Sequence, residues 1–127
     1  MARKPRTYAS TATEDAIQKA FIAQAKMLFP PSVVYHSTPN ERNTTVSNMA
    51  KMKAMGLTPG AADIVVMWPE GRAYIEFKSA TGVQKPDQVA FENWCRDAGV
   101  PYLLCRSSKD AFDGLTGLGC PVRGVVG

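Results

Sequence analysis

The chain has 127 residues, 45% of them apolar and 20% charged, with a formal net charge of +4 and a pI near 9.1. That is one domain's worth of sequence with enough apolar side chains for a single modest core, which excludes a disordered chain, and no apolar run reaches the ~20 residues of a membrane span. One histidine, His36, and three cysteines without a Cys-x-x-Cys pair exclude ordinary structural zinc sites and nucleases built on several histidines, and they fit reduced thiols in a cytosolic protein.

Residues 1–10 read as a basic tail with no apolar stretch of signal-peptide type behind it. Thr11-Ala12-Thr13-Glu14 has the form of a capping box with Thr11 as N-cap, and the helix it opens is predicted to run to Phe29, where Pro30-Pro31 stops it. Ile17, Ala20, Phe21, Gln24 and Leu28 form its apolar stripe, with Glu14 at the edge. A short strand follows at 33–37, then a polar loop through Pro39, Asn40 and Arg42, then a short helix over 46–55 that carries Lys51 and Lys53. Gly60 opens a turn into Asp63 and the strand 64–68, and Pro69-Glu70-Gly71-Arg72 connects that strand to the next, 73–79.

Pro86 and Asp87 suit the start of a second long helix, predicted to end at Gly99. Phe91, Trp94, Cys95 and Ala98 form its apolar stripe, which puts Trp94 in the core, and Gln88 lies at the stripe's edge near the helix start. A strand over 102–106, buried by its pattern, and a helix from Ser108 complete the domain, which spans 11–116; residues 117–127 read as a C-terminal tail. This order predicts an α/β fold with helices on both faces of a sheet, the last strand parallel to 73–79 across the helical crossover.

The chemistry concentrates in two neighbouring strands. In a strand, alternate side chains share a face, so Tyr74, Glu76 and Lys78 lie together and Ile75 and Phe77 point the other way. Asp63 at the head of one strand, with Glu76-Phe77-Lys78 on the next, is the pattern a metal-dependent phosphodiesterase requires. Two carboxylates and the Phe77 carbonyl can hold a hard cation, and with few nitrogen or sulfur donors in the chain that cation is Mg²⁺ or Mn²⁺. Lys78 can orient or deprotonate water or stabilise the phosphorane. A lone Glu-x-Lys is more often a surface ion pair; the preceding Gly60-x-x-Asp63 and the following Gln88 favour a site.

Several residues carry two readings. Glu14 is a helix cap, or else a metal residue that binds the cation directly or supports its ligands, the two held equally. Gln88 bonds locally at its helix start, or else to a metal-bound water, a phosphate or the Lys78 ammonium. His36 is read as structural, although with Asn40 and Arg42 it could meet a phosphate. Lys51 and Lys53 fit a solvated face, and with Arg42 and Lys85 they are the candidate nucleic-acid contacts.

Taken together, Gly60-Ala61-Ala62-Asp63, Ile75-Glu76-Phe77-Lys78 and Gln88 resemble the VRR-NUC branch of the PD-(D/E)XK nuclease superfamily. The resemblance runs from Glu14 to Phe112, with Ala62 in place of the proline that names the superfamily. It implies a restriction-endonuclease-like core with a central mixed sheet, and Mg²⁺- or Mn²⁺-dependent cleavage of DNA. By position, Asp63 and Glu76 would bind metal, Lys78 would be catalytic, and Glu14 and Gln88 would complete the site. Stand-alone members imply a homodimer cutting branched DNA such as four-way (Holliday) junctions in phage replication or repair, in the host cytoplasm, without an organic cofactor or a membrane. Two other functions compete: a DNA-binding module without catalysis, and a structural subunit of a phage or repair complex that docks through the 117–127 tail.

Overall fold

A computed structural model describes residues 13–38 and 45–124, and within them the elements follow the predicted order. They are α1 (Glu14–Leu28), β1 (Val34–Ser37), α2 (Val46–Ala54), β2 (Ile64–Trp68), β3 (Gly71–Phe77), α3 (Pro86–Ala98), β4 (Tyr102–Cys105) and α4 (Ser108–Gly117). Residues 1–12, which include Thr11, and the Pro39, Asn40 and Arg42 loop lie outside the described residues.

The start of α1 corrects the capping expectation. Thr13, not Thr11, is the N-cap: its side chain accepts a hydrogen bond from the Ala16 N–H at 3.1 Å. Glu14 is therefore the first helical residue rather than the third, and a capping-box role passes away from it. The buried stripe is Ile17, Phe21 and Ala25, each four residues on, whereas Ala20 is exposed and Gln24 and Leu28 are half-buried.

The strands form a mixed sheet in the order β1-β2-β3-β4, with β1/β2 and β2/β3 antiparallel and β3/β4 parallel. α3 supplies the crossover between the two parallel strands. One face of the sheet carries Ile64, Val66, Trp68, Ala73, Ile75, Phe77 and Cys105 into the main core. There α1 and α4 cover it: the Phe21 ring stacks on Phe112 at 4.8 Å and tilts against Phe77 at 5.6 Å. The other face meets α3, where the Phe91 ring lies edge-on to Tyr74 at 5.1 Å and tilts against Tyr102 at 6.2 Å. Helices thus flank both faces, as the sequence predicts.

The α3 side is the thinner layer, and two expectations fail there. Trp94 is 58% exposed instead of buried, and Ala98 is exposed too; Cys95 is the buried residue of the helix. The cause is the pair of tyrosines beneath, Tyr74 and Tyr102, which occupy the space with Phe91 and leave the Trp94 ring to stack on Phe91 from outside. β4 is likewise half-buried except at Cys105, because it ends the strand order and solvent reaches its open edge. α2, capped by Thr45, buries none of its residues. The chain beyond α4 lies on the core as far as it is described: Cys120 is buried, Val122 packs against the cluster, and the Arg123 N–H donates to the Leu28 carbonyl at 2.7 Å.

Candidate active site

The register of the β2–β3 hairpin brings the two acids together. Ile64 pairs with Ile75, so one step further along the antiparallel pair Asp63 stands opposite Glu76. Directly opposed residues of an antiparallel pair share a face, here the face toward α3. The approach of Asp63 is fixed at both ends. Its Oδ2 accepts the Phe77 N–H at 2.8 Å, and its carbonyl accepts the Thr38 N–H at 2.9 Å, while the Thr38 hydroxyl donates to the Ala62 carbonyl. Thr38 is a supporting residue that no sequence pattern announced.

Lys78 follows the end of β3, which stops at Phe77 rather than running to Ser79. Its N–H nevertheless continues the parallel ladder to the Cys105 carbonyl at 3.0 Å, so its side chain stays in phase with Glu76. The Lys78 Nζ lies 3.8 Å from Glu76 Oε2 and 3.8 Å from Glu14 Oε2. Asp63, Glu76 and Lys78 are 8%, 0% and 3% exposed, so a plain surface ion pair does not describe them. With the capping role gone, Glu14 stands as a carboxylate held against the Lys78 ammonium.

Gln88 does two things at once. As the third residue of α3 it accepts the Lys85 N–H on Oε1 at 2.8 Å, and through Nε2 it donates to Glu76 Oε2 at 3.0 Å. The local bond at the helix start is therefore present, and the other partner of Gln88 is the Glu76 carboxylate, which none of its functional readings named. Gly60 makes this possible. It sits at φ 79°, and a Cβ there would fall 2.3 Å from the Asp87 carbonyl oxygen, so the turn before Asp63 is packed directly on the first turn of α3.

The donor set suits a hard cation. Buried carboxylate is costly without positive charge beside it; the Lys78 ammonium stands 3.8 Å from Glu76 Oε2, while the buried Oε1 of that side chain has no hydrogen bond among the described residues. Among those residues no three His, Cys, Asp or Glu side chains gather as a ligand group. An ion here would rest on Asp63, Glu76, a backbone oxygen and water, which is how Mg²⁺ is ordinarily held. The negative potential reaches as far as Tyr102. Its phenol is pushed well up from its ordinary range, first by burial and then by the Glu76 charge, and its oxygen accepts a hydrogen bond from Gln84 Nε2 at 3.3 Å.

The remaining candidates are exposed or fall outside the described residues. Lys85 is the exposed N-cap of α3, and Lys51 and Lys53 are exposed on α2. Arg42 falls outside the described residues. His36 is exposed on β1, where its Nδ1 lies 3.2 Å from the Ser37 carbonyl oxygen.

An α/β chain with a mixed sheet and a buried Asp, Glu and Lys at one end of its central hairpin is the class that fold and site define. Among solved structures the chain is similar to a VRR_NUC domain protein, with a TM-score of 0.65 and 17% identity over 84% of this chain and 87% of that one. The chain has the fold of that VRR_NUC domain protein. No family model matches the sequence, and no curated protein does.

Proposed function

We propose that the chain is a Mg²⁺- or Mn²⁺-dependent endodeoxyribonuclease hydrolysing phosphodiester bonds, with Asp63, Glu76, Lys78 and Gln88 as its site and Glu14 in support. The observation that carries this reading is the burial of Asp63 opposite Glu76, with the Lys78 ammonium 3.8 Å from Glu76 Oε2. The similarity to a VRR_NUC domain protein supports it at the level of fold.

Asp63 and Glu76 would hold the cation, with the Phe77 carbonyl as a third oxygen. Such a cation supplies Lewis acidity and charge neutralisation at phosphorus when bound. Lys78 directs Nζ at the attacking water or at a phosphoryl oxygen. A unit charge at ~4 Å contributes roughly 4 kcal/mol at an effective dielectric of about 20, a large share of a catalytic effect. Gln88 holds Glu76 Oε2 by its amide, and Glu14 Oε2 lies 3.8 Å from the Lys78 Nζ. Lys51, Lys53, Arg42 and Lys85 would meet the phosphate backbone.

The finer reading is a homodimer that acts on branched DNA, in the manner the family resemblance implies. Two sites related by a two-fold axis suit paired nicks across a junction. The test incubates purified full chain with labelled four-way, flap and linear DNA and either metal. Cleavage that requires metal, and is fastest on four-way DNA, is the expected result. Folded protein that binds DNA but cuts none of these with either metal would leave the non-catalytic DNA-binding module instead. Protein that neither cuts nor binds would leave the structural subunit.

A further inference from the structure

Beside the site runs the turn Ser79–Gly82, which joins Lys78 to the segment leading into α3. It is closed by the Gly82 N–H donating to the Ser79 carbonyl at 3.1 Å. The turn presses on the site. A Cβ at Gly82 would lie 3.0 Å from Ser79 Oγ and 3.3 Å from Glu14 Oε2, the same oxygen that faces the Lys78 Nζ at 3.8 Å. The position of this turn therefore bounds the room left to the Glu14 carboxylate and, through it, to the Lys78 ammonium.

One exposed side chain fastens the turn from outside. Arg106, just past β4, donates from a single guanidinium nitrogen to the Ser79 carbonyl at 2.6 Å and to the Gly82 carbonyl at 2.9 Å. The base of this arm is itself anchored. The Arg106 N–H donates to Asp110 Oδ2 at 3.1 Å, and the Asp110 N–H donates to the Ser107 hydroxyl at 3.0 Å, the N-cap of α4. The arm thus ties both carbonyls that bracket the turn to the first turn of α4, across 24 and 27 residues of sequence.

We propose that Arg106 is a positioning residue of the site: by clamping the Ser79 and Gly82 carbonyls it holds the turn against Glu14, and so fixes Glu14 and Lys78 for reaction. Its kinetic consequence rests on the nuclease reading above; its structural consequence does not. Arginine suits the role because one terminal nitrogen of its planar guanidinium carries two N–H donors in fixed directions, one for each carbonyl, whereas the lysine ammonium is a point charge on a flexible stem.

The test compares the full chain with Arg106→Gln, Arg106→Lys and Gly82→Ala, each checked for folding by thermal melt. Amide exchange at Gly82 and the carboxyl carbon shift of Glu14 read the clamp without any activity. Arg106→Gln should accelerate Gly82 exchange and shift the Glu14 carboxyl, and Arg106→Lys should restore neither fully. Single-turnover cutting at saturating DNA should fall on the order of 10- to 100-fold in Arg106→Gln, as expected for a displacement of about an ångström, with Mn²⁺ affinity and DNA affinity unchanged. Gly82→Ala combined with Arg106→Gln should lose much less than the product of the single losses, because both act on one turn. Unchanged Gly82 exchange, or weakened DNA binding with cutting at saturation intact, overturns the proposal; the latter would make Arg106 a phosphate contact. If wild-type protein cuts no DNA, the nuclease reading fails by itself, and Gly82 exchange with the Glu14 shift still decides the clamp.

Discussion

Asp63 has one structural job and one proposed job, and substitutions should divide them. Its Oδ2 satisfies the buried Phe77 N–H, and its charge belongs to the candidate metal site. Asp63→Ala leaves that N–H without its acceptor and should cost about 1–3 kcal/mol in metal-free protein, read from urea unfolding. Asp63→Asn keeps an acceptor and should cost clearly less, yet both variants should lose the Mn²⁺ binding heat seen by calorimetry. A Mn²⁺ site intact in Asp63→Ala would remove Asp63 from the ligand set. Lys78→Ala should abolish cutting while leaving folding and DNA affinity largely in place; wild-type cutting by that variant would take Lys78 out of the mechanism. At this scale the sequence was most legible where the chemistry is costly. Asp63, Glu76 and Lys78 stood out because Gly60-x-x-Asp63 and Gln88 flank a Glu-x-Lys that alone would pass for a surface ion pair. Thr38 did not stand out and Arg106 was given no role of its own, since a threonine or arginine at a strand's end has many ordinary uses, and only the fold shows which carbonyls they reach.

Elements were legible in proportion to how local their causes are. β2 matches its predicted 64–68, and α3 begins and ends where Pro86 and Gly99 say it should. The start of α1 was misread because Thr11 and Thr13 are both plausible caps, and only the folded helix selects Thr13. Thr13→Ala should therefore destabilise the protein by about 1 kcal/mol. The helix–sheet contact at Gly60 carries a sharper expectation. Gly60→Ala meets a left-handed backbone that costs roughly 1–2 kcal/mol for an L-residue, and its methyl would also collide with the Asp87 carbonyl. The start of α3 must then move, and Gln88 with it. Thermal melts should show the loss of stability, and the Gln88 side-chain amide resonance should shift as its bond to Glu76 lengthens. A variant as stable as wild type with that resonance unmoved would contradict the packing described.

For the molecule as a whole, burial of its thiols sets an alkaline limit. Burial, with a lesser push from Asp110, raises the Cys105 thiol to about 12, and burial raises Cys120 to about 11, against an ordinary value of 9.0. Unfolded chains release these protons near the ordinary value while the folded protein retains them. The unfolded state then binds fewer protons, so stability should be fully present below that value and fall as pH climbs through the interval above it. Unfolding by urea at a series of alkaline pH values should show the decline, and it should be shallower in Cys105→Ala. A chain of formal charge +4 acting on DNA should also bind less tightly as salt rises, along a steep linear log–log slope. A slope near zero would speak against phosphate contacts.

Composition and local pattern by themselves determined the α/β class, the order of elements, the oxygen-rich character of the candidate site and the residues at its centre. These follow from spacing along one segment: period two in a strand, a proline at a helix start, a glycine at its end. Tertiary structure decided everything that depends on distance across the chain. It selected Glu76 as the partner of Gln88, set Glu14 against Lys78, left Trp94 outside the core and tied Arg106 to the turn beside the site. The reason is physical: a side chain's neighbours across a sheet or between layers are fixed by register and by competition for a limited volume, and neither is written in the run of residues around it.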